Sequence, residues 1–405
     1  MYDICVDMDY SQLYKHGQQI GGDVFLLNPD KSRTNIVTIL SDGLGSGVKA
    51  NVVASLTAHM GHKLSFSPLR LVHSAQIIMD TLPVDKEKGI SYATFTIART
   101  SFTPDKTSIN TSLVEYDNPP SLRFHNSEPI EWEKESHKLS RKTAVKEEIV
   151  LYSEFKMALG DRLIFFSDGV TQAGIGLKPG ENNAEVGTKG WGIDGVRDYI
   201  QGLLREEPEI SARSLARAIV TRAYEYDNYH ANDDITCAVI SVHKPRRTLV
   251  ISGAPKLREY DPKLAEIIRN FDGRIIVCGG TTAKIVAREL GVPLLPDTAP
   301  AGSLPPSSLI EGIDLVTEGM VTLTEVIERL DKHMLLKEMP EDAAKRFIKI
   351  MRETDQIQFV IGTKINSIAE DDTDVANFGI RIPLIARFKR IIHEKYTQEV
   401  EIDYL

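Results

Sequence analysis

The chain has 405 residues, 42% hydrophobic and 26% charged, with a formal net charge of -9. That length exceeds what one core usually holds, so two domains are expected, and the acidic balance excludes a general nucleic-acid binder, which needs a basic face. No run approaches the ~20 apolar residues of a membrane span and no signal-peptide pattern opens the chain, so a cytoplasmic protein without membrane or nucleic-acid partners is expected.

Cys5, Cys237 and Cys278 lie far apart and read as buried thiols of a reducing compartment. Gly17, Gly21 and Gly22 lead into a strand at Asp23-Val-Phe-Leu-Leu27, and Asn28-Pro-Asp-Lys31 is a turn before the next strand. The β-branched run from Ile36 to Leu40 stops at Ser41-Asp42-Gly43, and a helix follows from Val48. Asp42 thus stands at a strand end, and Gly43 lets the backbone turn and show its carbonyl. Hard divalent cations take such oxygens. Apolar spacing predicts helices over 48–60 and 68–82, and strands at 91–98, 109–116 and 121–124. The mixed-charge stretch Glu131–Glu148 reads as a solvated face. Leu163-Ile-Phe-Phe-Ser-Asp-Gly-Val170 is a second apolar strand ending in Ser-Asp-Gly, at Asp168. The glycine-rich stretch 171–192 reads as a long loop, and a helix is expected over 211–227, begun by Ser211. Asn232-Asp-Asp-Ile-Thr236 then opens the strand Cys237–Val242. A single Asp-Gly is more often a turn than a ligand. Four strand-terminal aspartates in one stretch of chain, Asp23, Asp42, Asp168 and Asp233, point to one site.

His243-Lys-Pro-Arg-Arg247 reads as a linker, dividing the chain into domains 1–243 and 250–405 around residues 244–249. Beyond it strands (248–251, 274–278, 314–317, 358–361) alternate with helices (near 261–271, 281–290, 323–335, 341–353). Alternation predicts a smaller α/β domain with a mainly parallel sheet. Ligands sit at the carboxyl ends of such strands. Gly279-Gly280-Thr281-Thr282, where a helix begins, is therefore a candidate anion site, against the equal alternative that the glycines serve turn geometry alone. A small ligand or a regulator is the partner expected for this domain. Residues 293–306 are proline-rich and read as an irregular loop.

Gly22-Asp23, Asp42-Gly-Leu-Gly-Ser-Gly-Val-Lys-Ala50, Ser167-Asp168-Gly169 and Asn232-Asp233-Asp234-Ile-Thr236 together resemble the metal-dependent (PPM-type) serine/threonine phosphatases, in the bacterial branch of the sporulation stage II E phosphatase. Tyr116-Asp-Asn-Pro-Pro120 resembles that family's mid-domain segment, and the resemblance covers residues 1–243. It implies an α+β fold, the PPM-type αββα sandwich of two antiparallel sheets. It also implies two divalent cations, Mn2+ or Mg2+, that activate water for attack on phosphoserine or phosphothreonine of a protein substrate. Carried over, Asp42 bridges both metals, the Gly43 carbonyl and Asp23 serve the second, and Asp168 and Asp233 hold the first. Asp234 and Thr236 then support the site from behind. Two departures stand out: Leu44 occupies a place where some members carry a general-acid histidine, and no arginine stands out as a phosphate clamp, Arg33 being a candidate by proximity alone. The alternatives are a phosphatase of a small phosphoester and a catalytically silent, phosphatase-like binding module.

Overall fold

A computed structural model describes residues 3–29, 34–67, 70–83, 92–139, 148–176, 189–363, 373–395 and 398–405. Arg33 lies outside these, as do 140–147 of the mixed-charge stretch and 177–188 of the glycine-rich loop. The chain divides into two compact units, Tyr2–Lys244 and Pro245–Leu405, the latter with Met1. No helix among the described residues is long and apolar enough to cross a membrane.

The first unit holds strands β1 (Cys5–Leu13), β2 (Asp23–Pro29) and β3 (Asn35–Gly43), then helices α1 (Val48–Ser65) and α2 (Leu71–Thr81). A run of strands follows: β4 (Ala93–Phe102), β5 (Ile109–Tyr116), β6 (Leu122–His125), β7 (Glu128–Ile130), β8 (Glu135–Leu139), β9 (Glu148–Met157) and β10 (Asp161–Phe166). It closes with α3 (Asp168–Thr171), α4 (Gly192–Glu206), α5 (Ala212–Tyr226) and β11 (Ile235–His243). The strands form two sheets, β1-β11-β10-β6-β7 and β2-β3-β4-β5-β9-β8, antiparallel throughout.

Side chains alternate across a strand, and here both faces are buried. On β3, Val37 and Ile39 face α1 and α2, packing with Ala58, Leu71, Ala75 and Ile78. Leu40 faces the other way, into the layer between the sheets with Leu163, Phe165, Ala238 and Ile240. On β10, Ile164 and Phe166 turn instead to Val196 and Ile200 of α4 and Leu215 and Ile219 of α5. The result is a four-layer α-β-β-α sandwich. It explains why β3, β10 and β11 read as continuous apolar runs, a pattern that antiparallel strands with one solvated face do not show. Helix α5 begins where Ser211 predicted it, the Ser211 hydroxyl accepting from Ser214 N. The periodic helix expected over 48–60 runs on to Ser65, and β9 and α4 emerge only in the fold, although α4 buries Val196, Ile200 and Leu204 at an even four-residue spacing.

The second unit holds β12 (Arg247–Ser252), α6 (Asp261–Asn270), β13 (Arg274–Cys278), α7 (Gly280–Leu290), β14 (Leu295–Pro296), β15 (Ser308–Leu309), β16 (Leu315–Thr317), α8 (Met320–Asp331), α9 (Ala343–Arg352), β17 (Gln356–Ile361), α10 (Thr373–Lys395) and β18 (Glu399–Tyr404). Its sheet runs β14-β15-β16-β13-β12-β17-β18, parallel from β16 to β18 with β14 and β15 antiparallel at one edge. Leu249 and Ile251 of β12 pack toward α6 and α7, while Val250 packs toward α8, α9 and α10. Strand β12 starts at Arg247, inside the stretch read as linker, because its backbone is already paired with β17 there. Helix α8 starts three residues before the expected 323 and stops at Asp331, since His333 takes a left-handed conformation (φ 52°) that ends it. Residues 373–395 form a helix despite Pro383, and β18 pairs beyond it; neither was expected from the sequence.

Candidate functional site

Asp23 and Asp42 are directly opposite each other on β2 and β3. Asp168 is the first residue of α3, immediately after β10, and Asp233 stands two residues before β11. The two sheets thus bring four aspartates, scattered over 211 positions of sequence, to one end of the sandwich. Asp42, Gly43, Asp168 and Asp233 line a single cavity of about 620 Å3, together with Gly45, Thr94, Asp117, Asn118, Thr171 and Gln172. Among the described residues, no lysine or arginine lines it.

Two glycines make the convergence possible by close approach. A Cβ at Gly43 would stand 2.1 Å from the Ala50 carbonyl oxygen, and one at Gly169 would stand 2.1 Å from that of Asp234. Only a hydrogen fits at either place, so the two Asp-Gly pairs are steric requirements of the fold as well as turn signals.

The closing Asn-Asp-Asp-x-Thr segment is divided in its labour. Asn232 donates through Nδ2 to Asp227 Oδ1 at 3.0 Å, and Asp227 also accepts from Asn232 N (2.9 Å) and Gly174 N (2.7 Å). Asp234 is buried and faces away from the cavity, accepting from the backbone N–H groups of Lys15 (2.8 Å) and Gly22. Thr236 Oγ1 donates to Asp23 Oδ2 at 2.6 Å. The other oxygen of Asp23, Oδ1, is buried and has no hydrogen-bond partner. Asp233 keeps its carboxylate on the cavity, with the Lys15 ammonium 3.8 Å from Oδ1. Gln172 Nε2 donates to Asp168 Oδ2 at 2.9 Å.

The electrostatics show what this arrangement lacks. Burial pushes the Asp23 carboxyl up to about 8, against the donation from Thr236. Asp42 is raised well above its ordinary range, by burial first and then by the charges of Asp23, Asp168, Asp233 and Asp234. Asp168 is raised by burial and by Asp233; Asp233 is raised by burial, with Lys15 opposing. Ionised carboxylates in such a cluster need positive charge beside them. Among the described residues, no three His, Cys, Asp or Glu side chains form a ready-made metal cage. The donor chemistry nonetheless fits a hard divalent cation: carboxylate oxygens, the Gly43 carbonyl and an unpartnered Asp23 oxygen, with no sulfur or imidazole among them.

Sequence reasoning missed Asp227, which ties the motif to Gly174, and gave no role to Asp117. The latter takes a left-handed conformation (φ 55°), lines the cavity and is raised by burial; the Asp-Asn-Pro-Pro segment was its only signal. In the second unit Gly279 (φ 115°) caps α7 and Gly280 begins it, as expected. Thr281 is exposed, but Thr282 is buried and its hydroxyl accepts from Gly253 N at 3.1 Å. The Thr282 hydroxyl therefore ties β12 to α7 through its acceptor side.

The family model of stage II sporulation protein E (SpoIIE) matches residues 32–243, just over half of the chain. No curated protein sequence matches. Solved structures similar to this chain include the phosphatase domain of SpoIIE from Bacillus subtilis, at 14% identity over 60% of this chain and 95% of that one, with a TM-score of 0.41. The RsbU and RsbW domains of a Mycobacterium tuberculosis protein share 15% identity over 65% of this chain and 67% of theirs, at a TM-score of 0.42. A serine/threonine phosphatase of S. agalactiae shares 13% identity over 58% of this chain and 99% of its own, at a TM-score of 0.39. Strands β3 to β11 and the motifs at Asp42, Asp168 and Asp233 lie within the residues that the family model covers, with β1, β2 and Asp23 preceding them, and the chain belongs to the SpoIIE family.

Proposed function

We propose that residues 1–243 form a metal-dependent phosphatase acting on phosphoserine or phosphothreonine of a protein. The observation that carries this reading is the buried, unneutralised carboxylate cluster lining one open cavity. Asp42, the Gly43 carbonyl, Asp168, Asp233 and Asp23 would hold two divalent cations, Mn2+ or Mg2+. Bound there, such ions lower the pKa of water and neutralise phosphoryl oxygens, the help that slow phosphate-monoester hydrolysis needs. The chain's own residues do the positioning. Thr236 fixes one Asp23 oxygen and leaves the other open, Gln172 orients Asp168, and Asp234 anchors the 15–22 segment that leads into Asp23. No covalent nucleophile is assigned: Cys237 and Cys278 are buried, and the cavity lining contains no cysteine, serine or histidine. The free thiols suit a reducing compartment, and we assign the protein to the cytoplasm. Residues 250–405 we assign to regulation or ligand binding, with the carboxyl ends of the parallel strands as the place to look.

The test is manganese-dependent hydrolysis of an aryl phosphate by the full chain, comparing wild type with Asp42→Asn and Asp168→Asn. Activity that both substitutions abolish in folded protein supports the reading. A wild type that binds manganese but hydrolyses neither the aryl phosphate nor a panel of phosphopeptides overturns it in favour of a binding module. Preference for sugar or nucleotide phosphates over phosphopeptides redirects it to a small phosphoester.

A further inference from the structure

We infer that Lys15 is the cation that receives the phosphoryl oxygens of the substrate, an inference that rests on the phosphatase reading above. A phosphate ester approaching the cavity meets Asp42, Asp117, Asp168 and Asp233, and none of the described lining residues is basic. Lys15 stands beside this rim, its ammonium 3.8 Å from Asp233 Oδ1. At that separation the pair is electrostatic and too long for a hydrogen bond, so the three ammonium donors remain available to a phosphoryl oxygen. The side chain is 37% exposed, which leaves its four-carbon stem room to swing from Asp233 to a ligand.

The backbone under this side chain is held to the turn that carries Asp233. Lys15 N donates to Asp234 Oδ1 at 2.8 Å, and His16 N donates to the Ala231 carbonyl at 2.9 Å. The His16 ring stacks on that of His230 with centroids 3.7 Å apart. That turn begins with Asn228 and Tyr229 both in the left-handed region (φ 53° and 60°), a costly conformation that the surrounding bonds hold in place. An exposed ion pair such as Lys15–Asp233 contributes little to stability by itself. Here the main chain fixes where the ammonium starts.

The test uses the full chain, with inorganic phosphate as probe and calorimetry as readout, in magnesium. Lys15→Met keeps the apolar stem and removes the charge; Lys15→Arg restores a cation. Expected are phosphate binding weakened about tenfold in Lys15→Met and near wild type in Lys15→Arg, with magnesium bound at least as tightly in Lys15→Met as in wild type. Unchanged phosphate affinity in Lys15→Met overturns the inference. So does loss of magnesium and phosphate together, which would make Lys15 a support of the metal site only, and so does a wild type that binds no phosphate. Aryl phosphate hydrolysis on the same samples separates the two proposals: phosphate held through Lys15 without any turnover defeats the phosphatase reading and leaves the cation assignment standing.

Discussion

Asp234→Ala is expected to destabilise the first unit although Asp234 does not line the cavity. Its carboxylate accepts from the backbone of Lys15 and Gly22, more than 210 residues away in sequence, and both bonds are partly or fully buried. Alanine leaves two N–H groups without a partner, each costing about 1–3 kcal/mol. The substitution also removes a negative charge that raises Asp23 and Asp42, a smaller contribution for both than burial is. We take that offset as about 1 kcal/mol, so the expected net loss is about 1–5 kcal/mol, a large share of a typical domain's ~5–15 kcal/mol. Both tryptophans, Trp132 and Trp191, lie in the first unit, so their fluorescence during urea unfolding reports on that unit alone. The midpoint should fall with the slope unchanged. A loss under about 1 kcal/mol would refute the reasoning, since it would mean that the 15–22 segment is held by other contacts. Asp234→Asn, which keeps one acceptor, should fall between the two.

Asp42→Asn should move stability the other way. It removes a charge that burial and four neighbouring aspartates disfavour, so metal-free protein should gain about 1–2 kcal/mol in the same unfolding assay while losing metal-dependent hydrolysis. The raised Asp23 sets a pH dependence with a definite sign. Because its folded value, about 8, lies above the ordinary 3.8, its contribution to metal-free stability is fully present below pH 3.8 and is lost as pH rises to 8. Between pH 5 and 8 the difference between wild type and Asp23→Asn should grow by up to about 4 kcal/mol, and saturating manganese should flatten it. In the second unit Asp342 takes a bidentate pair from buried Arg329, at 2.8 and 2.6 Å, and caps α9 through Lys345 N at 2.9 Å. Asp342→Ala leaves a buried guanidinium without that partner and should cost about 3–5 kcal/mol, read as an earlier far-UV circular dichroism transition with the tryptophan transition unmoved.

The aspartates were legible because each stands at one end of an apolar strand, Asp42 and Asp168 after one and Asp23 and Asp233 before one, and the doubly buried strands β3, β10 and β11 announce themselves by continuous hydrophobicity. The parallel sheet of the second unit was legible for a related reason, the alternation of short apolar runs with amphipathic helices. Where the signal was weak, the reading was incomplete. Residues 148–157 alternate buried and exposed positions irregularly, and the charges and Pro383 within 373–395 disguise a helix. No sequence pattern tells that a hydroxyl at a helix start accepts from a neighbouring strand end, as Thr282 does from Gly253 N.

The sequence by itself determined which residues are available for chemistry: four carboxylates at strand ends, glycines beside three of them, and a closing motif with further polar groups. Only the tertiary structure decided how those groups divide the work. Asp233 faces the cavity and its neighbour Asp234 faces the backbone of Lys15 and Gly22, although the two are adjacent and chemically identical. The physical reason is that a carboxylate is assigned by what it meets. N–H groups from 212 and 219 residues away reach one of them, and the other meets the adjacent Asp234 N–H at 3.0 Å, a lysine and the like charges of the cavity.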